Sequence, residues 1–477
     1  MSNPILSLYN MDGGPPAEET APFSVVPRRA DNLASLRENP NVDLLILGGG
    51  LTGALVAHQA ALQGVRVLVL ERRYCGDRAL SWDHRIAQLL RVAPRHFLLG
   101  RSQWKVLAES VAPHLVAALP PDSHEVTGLW PSLVKRLVPL RNLDERLLIR
   151  ESMLAARQEG AIILSAVEPT FLEAESLSGC YRVGFKDTLS EASYEVRVGG
   201  VLVDPSVGEL PATRLGSRVL PWSVPAVAGS QRVFEAVPAS VKSGERFASY
   251  ELTDGSCVSV SRIGEQVLEV TAIFGASALA PDVVSTIARQ AAAEAGWNVQ
   301  REVHSRDVDG RWSRHWRVNQ DKGIFTCEHR GPWDALKSSA TIVRTLVGLL
   351  KDPRPFKKLP TPPLPGAEHA CELQAFRALA RAQGIRERLI ELCIARWRGR
   401  VRYIAQFPNG FFEVCPNVLR GEIDLAVASD QVTSVEDLMF GSLMLQQLPE
   451  WRELVKPISE RFAQLRNAEN DRNESRA

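Results

Sequence analysis

Between residues 48 and 53 the chain reads Gly48-Gly49-Gly50-Leu51-Thr52-Gly53, and Glu71 follows at about the 20-residue interval that separates such a turn from its acidic partner. Gly48 and Gly50 permit a tight turn and close approach of a pyrophosphate, and Gly53 lets a helix pack closely on a strand. The phosphates would meet the amides that open the helix, at Leu51 and Thr52. The Glu71 carboxylate, with Arg72 beside it, would accept hydrogen bonds from ribose hydroxyls and disfavour a 2′-phosphate. A glycine-rich turn that binds nothing is the competing reading.

The flanking segments decide between the two. Asp43 to Leu47 is a short apolar run, Leu51 to Gln63 has Ala-rich helical spacing, and Val65 to Leu70 is a second apolar, β-branched run. Strand, helix, strand and terminal acid fall in order, which predicts a Rossmann-type dinucleotide site. The fingerprint alone does not separate FAD from NAD. Its N-terminal place, ahead of a long middle without a second such unit, favours non-covalent FAD.

The fold class expected is therefore α/β: an N-terminal Rossmann-type FAD-binding domain, an interleaved mixed-sheet substrate domain and a helical C-terminal domain. Residues 1–41 read as a disordered tail, since Asp12 to Asn41 is rich in Pro, Gly, Ala and Glu with few aromatics. Residues 42–352 hold the two interleaved domains. Asn142 to Gly160 has helical spacing, Ala161 to Val167 reads as a strand, Tyr181 to Ile273 is β-rich, and Ala280 to Gly296 and Ala335 to Lys351 are helical. The prolines of 353–366 make a stiff connector to a helical domain at 367–466, and 467–477 is polar enough to fray.

Composition narrows the function classes. A chain of 477 residues with a formal net charge of +1 has no global preference for nucleic acid or an anionic surface. Its seven cysteines include no C-x-x-C pair, which argues against a zinc clamp and for a reducing, cytoplasmic setting. No apolar run reaches the roughly 18 residues of a membrane span. Arg396-Trp397-Arg398-Gly399-Arg400-Val401-Arg402 is either a solvated face or a peripheral contact with phospholipid headgroups.

Beyond the fingerprint, Trp104-Lys105-Val106-Leu107, Ala112-Pro113-His114-Leu115-Val116, Asp144-Glu145-Arg146-Leu147, Gly216-Ser217-Arg218, Leu364-Pro365-Gly366, Glu413-Val414, Glu422 and Val435-Glu436-Asp437-Leu438 run collinear with one family. The chain resembles FAD-dependent glycerol-3-phosphate dehydrogenases, which oxidise glycerol 3-phosphate to dihydroxyacetone phosphate and pass electrons to a quinone. The resemblance implies a small-molecule substrate, phosphorylated in that family, and a site closed by three motifs. Those motifs are where this chain departs.

The family's Gly-Thr-Ser-Ser-rich loop and His-Gly-Gly-Leu-Arg-Tyr segment give way to Cys75-Gly76-Asp77-Arg78-Ala79-Leu80-Ser81-Trp82-Asp83-His84. The phosphate-holding arginine of its Gly-x-Arg-Pro-Leu motif corresponds to Arg311 or to Arg314. Its Gly-Gly-Lys-x-Thr-Thr motif is replaced by Arg330-Gly331-Pro332-Trp333-Asp334-Ala335-Leu336-Lys337, with Lys337 one turn away as a substitute lysine. Oxidation of a secondary alcohol needs a base for the hydroxyl proton, and His84, just beyond the second Rossmann strand, is the candidate. The competing reading of His84 is a surface histidine beside Asp83. Arg311, Arg314 and Arg317, among Trp312, His315 and Trp316, make either an anion site or a solvated face with snorkelling arginines. A dehydrogenase and a degenerate relative that keeps the fold without turnover both fit these departures.

Overall fold

A computed structural model describes residues 29–76, 116–118, 141–143, 145–175, 180–204, 214–215, 218–219, 229–239, 247–251, 257–262, 267–273, 281–308, 317–321, 323–328, 332–350, 355–357, 364–367, 370–430, 432–443, 445 and 451–474. In chain order the first elements are α1 (Arg29–Glu38), β1 (Asn41–Leu47), α2 (Leu51–Leu62), β2 (Val67–Leu70), β3 (Val116–Ala118), β4 (Arg141–Leu143), α3 (Glu145–Gln158), β5 (Ile162–Leu164), β6 (Val167–Ala174), β7 (Tyr181–Asp187) and β8 (Ser193–Val203). There follow β9 (Arg214–Leu215), β10 (Arg218–Val219), β11 (Gly229–Pro238), β12 (Phe247–Glu251), β13 (Cys257–Arg262), β14 (Val267–Ile273), α4 (Pro281–Glu294), β15 (Trp297–Val308), β16 (Arg317–Asp321), β17 (Ile324–Glu328) and α5 (Pro332–Leu349). The last part carries α6 (Ala370–Ala382), α7 (Glu387–Trp397), β18 (Glu413–Cys415), β19 (Val418–Leu419), α8 (Arg420–Leu425) and α9 (Trp451–Glu474).

The apolar runs become strands buried on both faces, as a parallel sheet requires. The main sheet runs β16-β17-β8-β1-β2-β5, with β6 and β7 folding back antiparallel on β8. β1 pairs in parallel with β2 on one side and with β8 on the other. The chain thus leaves β1 in one direction and returns to its other side later, which makes the carboxyl end of β1 the topological switch point where such sheets bind ligands. α2 and α3 cover one face, and α5 packs on α2 beside them.

A second, five-stranded antiparallel sheet has the order β12-β13-β14-β11-β15. One face carries Phe234, Ala236, Val258, Val260, Leu268, Val270 and Ala272 against α4. The other face, offset by one residue along each strand, carries Gln231, Glu269 and Thr271, all buried. The C-terminal helices have a core of their own around Phe376, Ile390, Trp397, Ile404, Leu419 and Leu438.

Three sequence expectations are corrected. The tail does not extend to Asn41, because α1 buries Leu33 and Leu36 against the sheet face that carries Leu45, Leu68 and Ile162, and Arg29 bridges Asp187 at 2.7 Å. Two leucines at helical spacing are enough apolar surface to dock a short helix whose composition otherwise reads as tail. The helix α9 continues through the polar residues from Asn467 as far as Glu474, where a tail is expected. The basic run at 396–402 is not a solvated face: Arg396 and Arg400 are buried, Arg396 donates to Glu422 at 3.1 Å, and Arg402 donates to Glu372 at 2.8 Å. Burial forced those cations to take internal partners.

Candidate functional site

The turn after β1 has the conformation its glycines suggest. Gly48 takes φ +100°, which a side chain rarely adopts. A Cβ on Gly53 would lie 2.6 Å from the Gly48 carbonyl oxygen and 3.1 Å from Ile46 Cγ2, so glycine alone lets α2 start this close to β1. A Cβ on Gly49 would meet Cys75 Sγ at 2.8 Å, because the segment after β2 folds over the turn and Gly76 N donates to Gly49 O at 3.0 Å.

Glu71 leaves the end of β2 half-buried. Its carboxylate accepts from Gly49 N at 2.6 Å and from Arg73 N at 3.1 Å, so it stands over the turn with each oxygen keeping lone-pair capacity for a ribose hydroxyl. Arg72 is exposed beside it. At the other edge, Asp204 follows β8 and accepts from Gly53 N at 2.5 Å, which caps the third residue of α2. That cap lies next to the Gly50–Thr52 end of the helix, where the fingerprint would place a pyrophosphate. Asp204 also lies beside Cys327, whose thiol pKa is pushed far up, first by burial and then by that carboxylate. Cys327 is therefore inert at neutral pH.

These residues fit a bound ADP moiety: a cradle that a Cβ would fill, a helix start at the switch point, and an acid at the ribose position. Residues 43–184 match the family described as FAD dependent oxidoreductase. The cofactor is FAD. Over 188 aligned residues, 30% of this chain and 34% of the relative, the chain is 25% identical to one subunit of the anaerobic glycerol-3-phosphate dehydrogenase of Escherichia coli (strain K12), and equally to its counterpart in Shigella flexneri. The match spans about a third of those relatives' length. A solved structure of the glycerol-3-phosphate dehydrogenase from Bacillus halodurans complexed with FAD superposes with TM-score 0.59 at 14% identity, covering 94% of this chain and 98% of that one. This chain shares the fold of that structure.

The structure thus brings Gly48, Gly50, Leu51, Thr52, Gly53 and Glu71 together, with Arg72 at the rim. His84, Arg311 and Arg314 lie outside the described residues. Lys337 is exposed on α5, while the adjacent Ser338 and Ser339 are buried.

Residues to which the sequence assigned no role in the site stand between the turn and the second sheet. Arg146, at the start of α3, donates to Gln231 Oε1 at 3.0 Å and lies 4.0 Å from Glu269 Oε2. Its carbonyl oxygen is 3.7 Å from the point where a Cβ on Gly76 would sit, so one residue links the glycine turn's cover to the polar face of the antiparallel sheet. Gln231 in turn donates to Thr271 Oγ1 at 3.5 Å. The signal in the sequence was a polar residue recurring inside otherwise apolar strands, as at Glu269 and Thr271 in Val267-Leu268-Glu269-Val270-Thr271.

Proposed function

We propose that this protein is an FAD-dependent dehydrogenase of a small hydroxy compound, of the glycerol-3-phosphate dehydrogenase type. The observation that carries the reading is Arg146: it ties the cover of the dinucleotide turn to a buried polar sheet face at Gln231, Glu269 and Thr271. A buried polar face opposite a flavin site serves to orient a polar substrate, because burying such groups without a role costs stability.

FAD supplies the two-electron acceptor. The chain's own part is to bind the substrate, exclude water and manage one proton. In this reading Gln231 and Thr271 hydrogen-bond substrate hydroxyls, and His84 takes the hydroxyl proton as carbon is oxidised. Arg311 and Arg314 hold an anionic substituent by charge-assisted hydrogen bonds. The test is anaerobic bleaching of the bound flavin by glycerol 3-phosphate and by glycerol, in the wild type and in an Arg311→Ala, Arg314→Ala double variant. The reading expects bleaching by the phosphorylated compound to need about tenfold or more higher concentration in the variant, since charge-assisted contacts contribute roughly 1.5–3 kcal/mol each. Equal responses to both compounds in both proteins would remove the phosphate site.

A second reading, a flavoprotein without turnover, is favoured by one observation: Arg330-Gly331-Pro332-Trp333-Asp334-Ala335-Leu336-Lys337 replaces the family's Gly-Gly-Lys-x-Thr-Thr motif. A yellow protein whose flavin no candidate substrate bleaches would support it.

A further inference from the structure

The segment that follows the ribose carboxylate does not end its contacts at the flavin site. Arg73, two residues past Glu71, bridges Asp437 at 3.0 Å. Tyr74 lies on the backbone of Gly441, where a Cβ would come within 2.5 Å of its hydroxyl. Arg150 of α3 donates to the Gly441 carbonyl at 2.6 Å and stands 5.7 Å from the centre of the Tyr74 ring. Two helical turns further along α3, Arg157 donates to the carbonyls of Ala428 and Ser429 at 3.1 and 3.3 Å.

All of these partners belong to two short segments of the C-terminal helical unit, Ala426–Asp430 and Asp437–Ser442, and both are wound in wide π-type turns. Such turns shift the backbone hydrogen-bond pattern from i+4 to i+5 and re-aim carbonyls out of the helical ladder. Here re-aimed carbonyls meet arginines from the flavin-binding part of the chain. π-type turns are rare and concentrate at functional sites, and both of these face the same partner. Asp437 is held for its role by a hydrogen bond from Thr433 Oγ1 at 3.2 Å and is itself almost fully buried, whereas Arg73 is half exposed.

We propose that the C-terminal helical unit is a clamp on the adenosine side of the flavin site, with Arg73 and Tyr74 as positioning residues that transmit its docking to Glu71. The Arg73 amide donates to the Glu71 carboxylate at 3.1 Å, so the residue that grips Asp437 also helps set the carboxylate that meets the ribose. Anchoring the Arg73 side chain pre-organises that carboxylate, which lowers the ordering cost of binding. Linkage makes the effect reciprocal: docking of residues 426–442 tightens FAD, and FAD tightens the docking by the same factor.

The experiment measures the FAD dissociation constant of apoprotein for the wild type, Arg73→Ala, Asp437→Asn and the double variant, together with protease cleavage within residues 426–442 with and without FAD. Arg73 is half exposed, so its alanine variant folds whatever becomes of the clamp. Each single variant is expected to bind FAD about fivefold more weakly, the low end for coupled sites. The double variant is expected to be no weaker than the worse single one, because both break the same link. FAD is expected to slow cleavage of the C-terminal segment in the wild type and to lose that protection in the variants. A direct contact of Arg73 with FAD would instead leave Asp437→Asn at wild-type affinity, and that result overturns the clamp. So do losses that multiply in the double variant, or cleavage rates in the wild type that FAD does not change.

Discussion

Glu71 Oε2 accepts a hydrogen bond from the amide of Gly49 at 2.6 Å, so the acid at the end of β2 is built into the glycine turn that follows β1. The two halves of the fingerprint, 22 residues apart in sequence, are one structural object. Replacement of Glu71 by glutamine would keep the shape but put an amide NH2 against the Gly49 or Arg73 amide, donor against donor. Hydrogen bonds to charged groups contribute roughly 1.5–3 kcal/mol, so Glu71→Gln should lower FAD affinity about tenfold or more. Fluorescence titration of apoprotein with FAD measures it; unchanged affinity would remove Glu71 from the site.

Gly53→Ala acts on the same turn from the helix side. Its Cβ would press on the Gly48 carbonyl, which is backbone and cannot step aside without moving the turn. Flavin content of the purified variant should fall steeply while the helical circular dichroism signal stays near wild type. Full flavin content would show that the turn tolerates the shift.

Much of this site was legible because local pattern and local structure coincide there. Glycine spacing, two apolar runs and one acid specify β1, α2, β2 and their turn without help from distant residues. The partners that complete it were not legible, because each arrives from afar. Asp204 caps α2 from 151 residues away and Asp437 reaches Arg73 across 364, separations at which spacing carries no information. The α1 helix was missed for the opposite reason: its two buried leucines are too few to outweigh a composition that signals a tail. The basic run at 396–402 misled because charge alone says nothing about burial when Arg396, Arg400 and Arg402 each have an internal partner.

Removal of residues 1–40 tests that correction. It deletes the Arg29–Asp187 bridge and exposes the surface that Leu33 and Leu36 cover. Full burial of a leucine contributes roughly 1.5–3 kcal/mol, so the shortened chain should be less stable by about 3 kcal/mol or more. A urea midpoint equal to that of the full chain would mean that the helix contributes nothing.

Glu422 anchors the C-terminal core. It accepts from Arg396 Nη1 at 3.1 Å, from Trp397 Nε1 at 3.0 Å and from Leu419 N at 2.9 Å, with no exposure to solvent. Glu422→Ala strands a buried guanidinium and should cost about 3–5 kcal/mol. A double variant in which Arg396 is also replaced by an apolar residue such as methionine should recover part of that loss, because it removes the stranded charge. Equilibrium denaturation of the three proteins separates the pair's charge balance from simple loss of packing.

His58 is buried within α2, its Nε2 has no hydrogen-bond partner among the described residues, and burial lowers its pKa from 6.5 to about 4. The unfolded chain therefore binds a proton near pH 6.5 that the folded chain refuses until about pH 4. Because the folded pKa is the lower of the two, the contribution is complete above pH 6.5, falls as pH drops through the window to about 4, and is lost below it. The shift corresponds to roughly 3 kcal/mol at one proton. His58→Leu removes the titrating group and the orphaned nitrogen while keeping an apolar side chain of similar reach. Urea denaturation at pH 7 and pH 5 should show the wild type losing stability between the two by an amount that the leucine variant does not lose. If both proteins lose the same amount, the acid sensitivity of the fold lies with its carboxylates and His58 has no part in it.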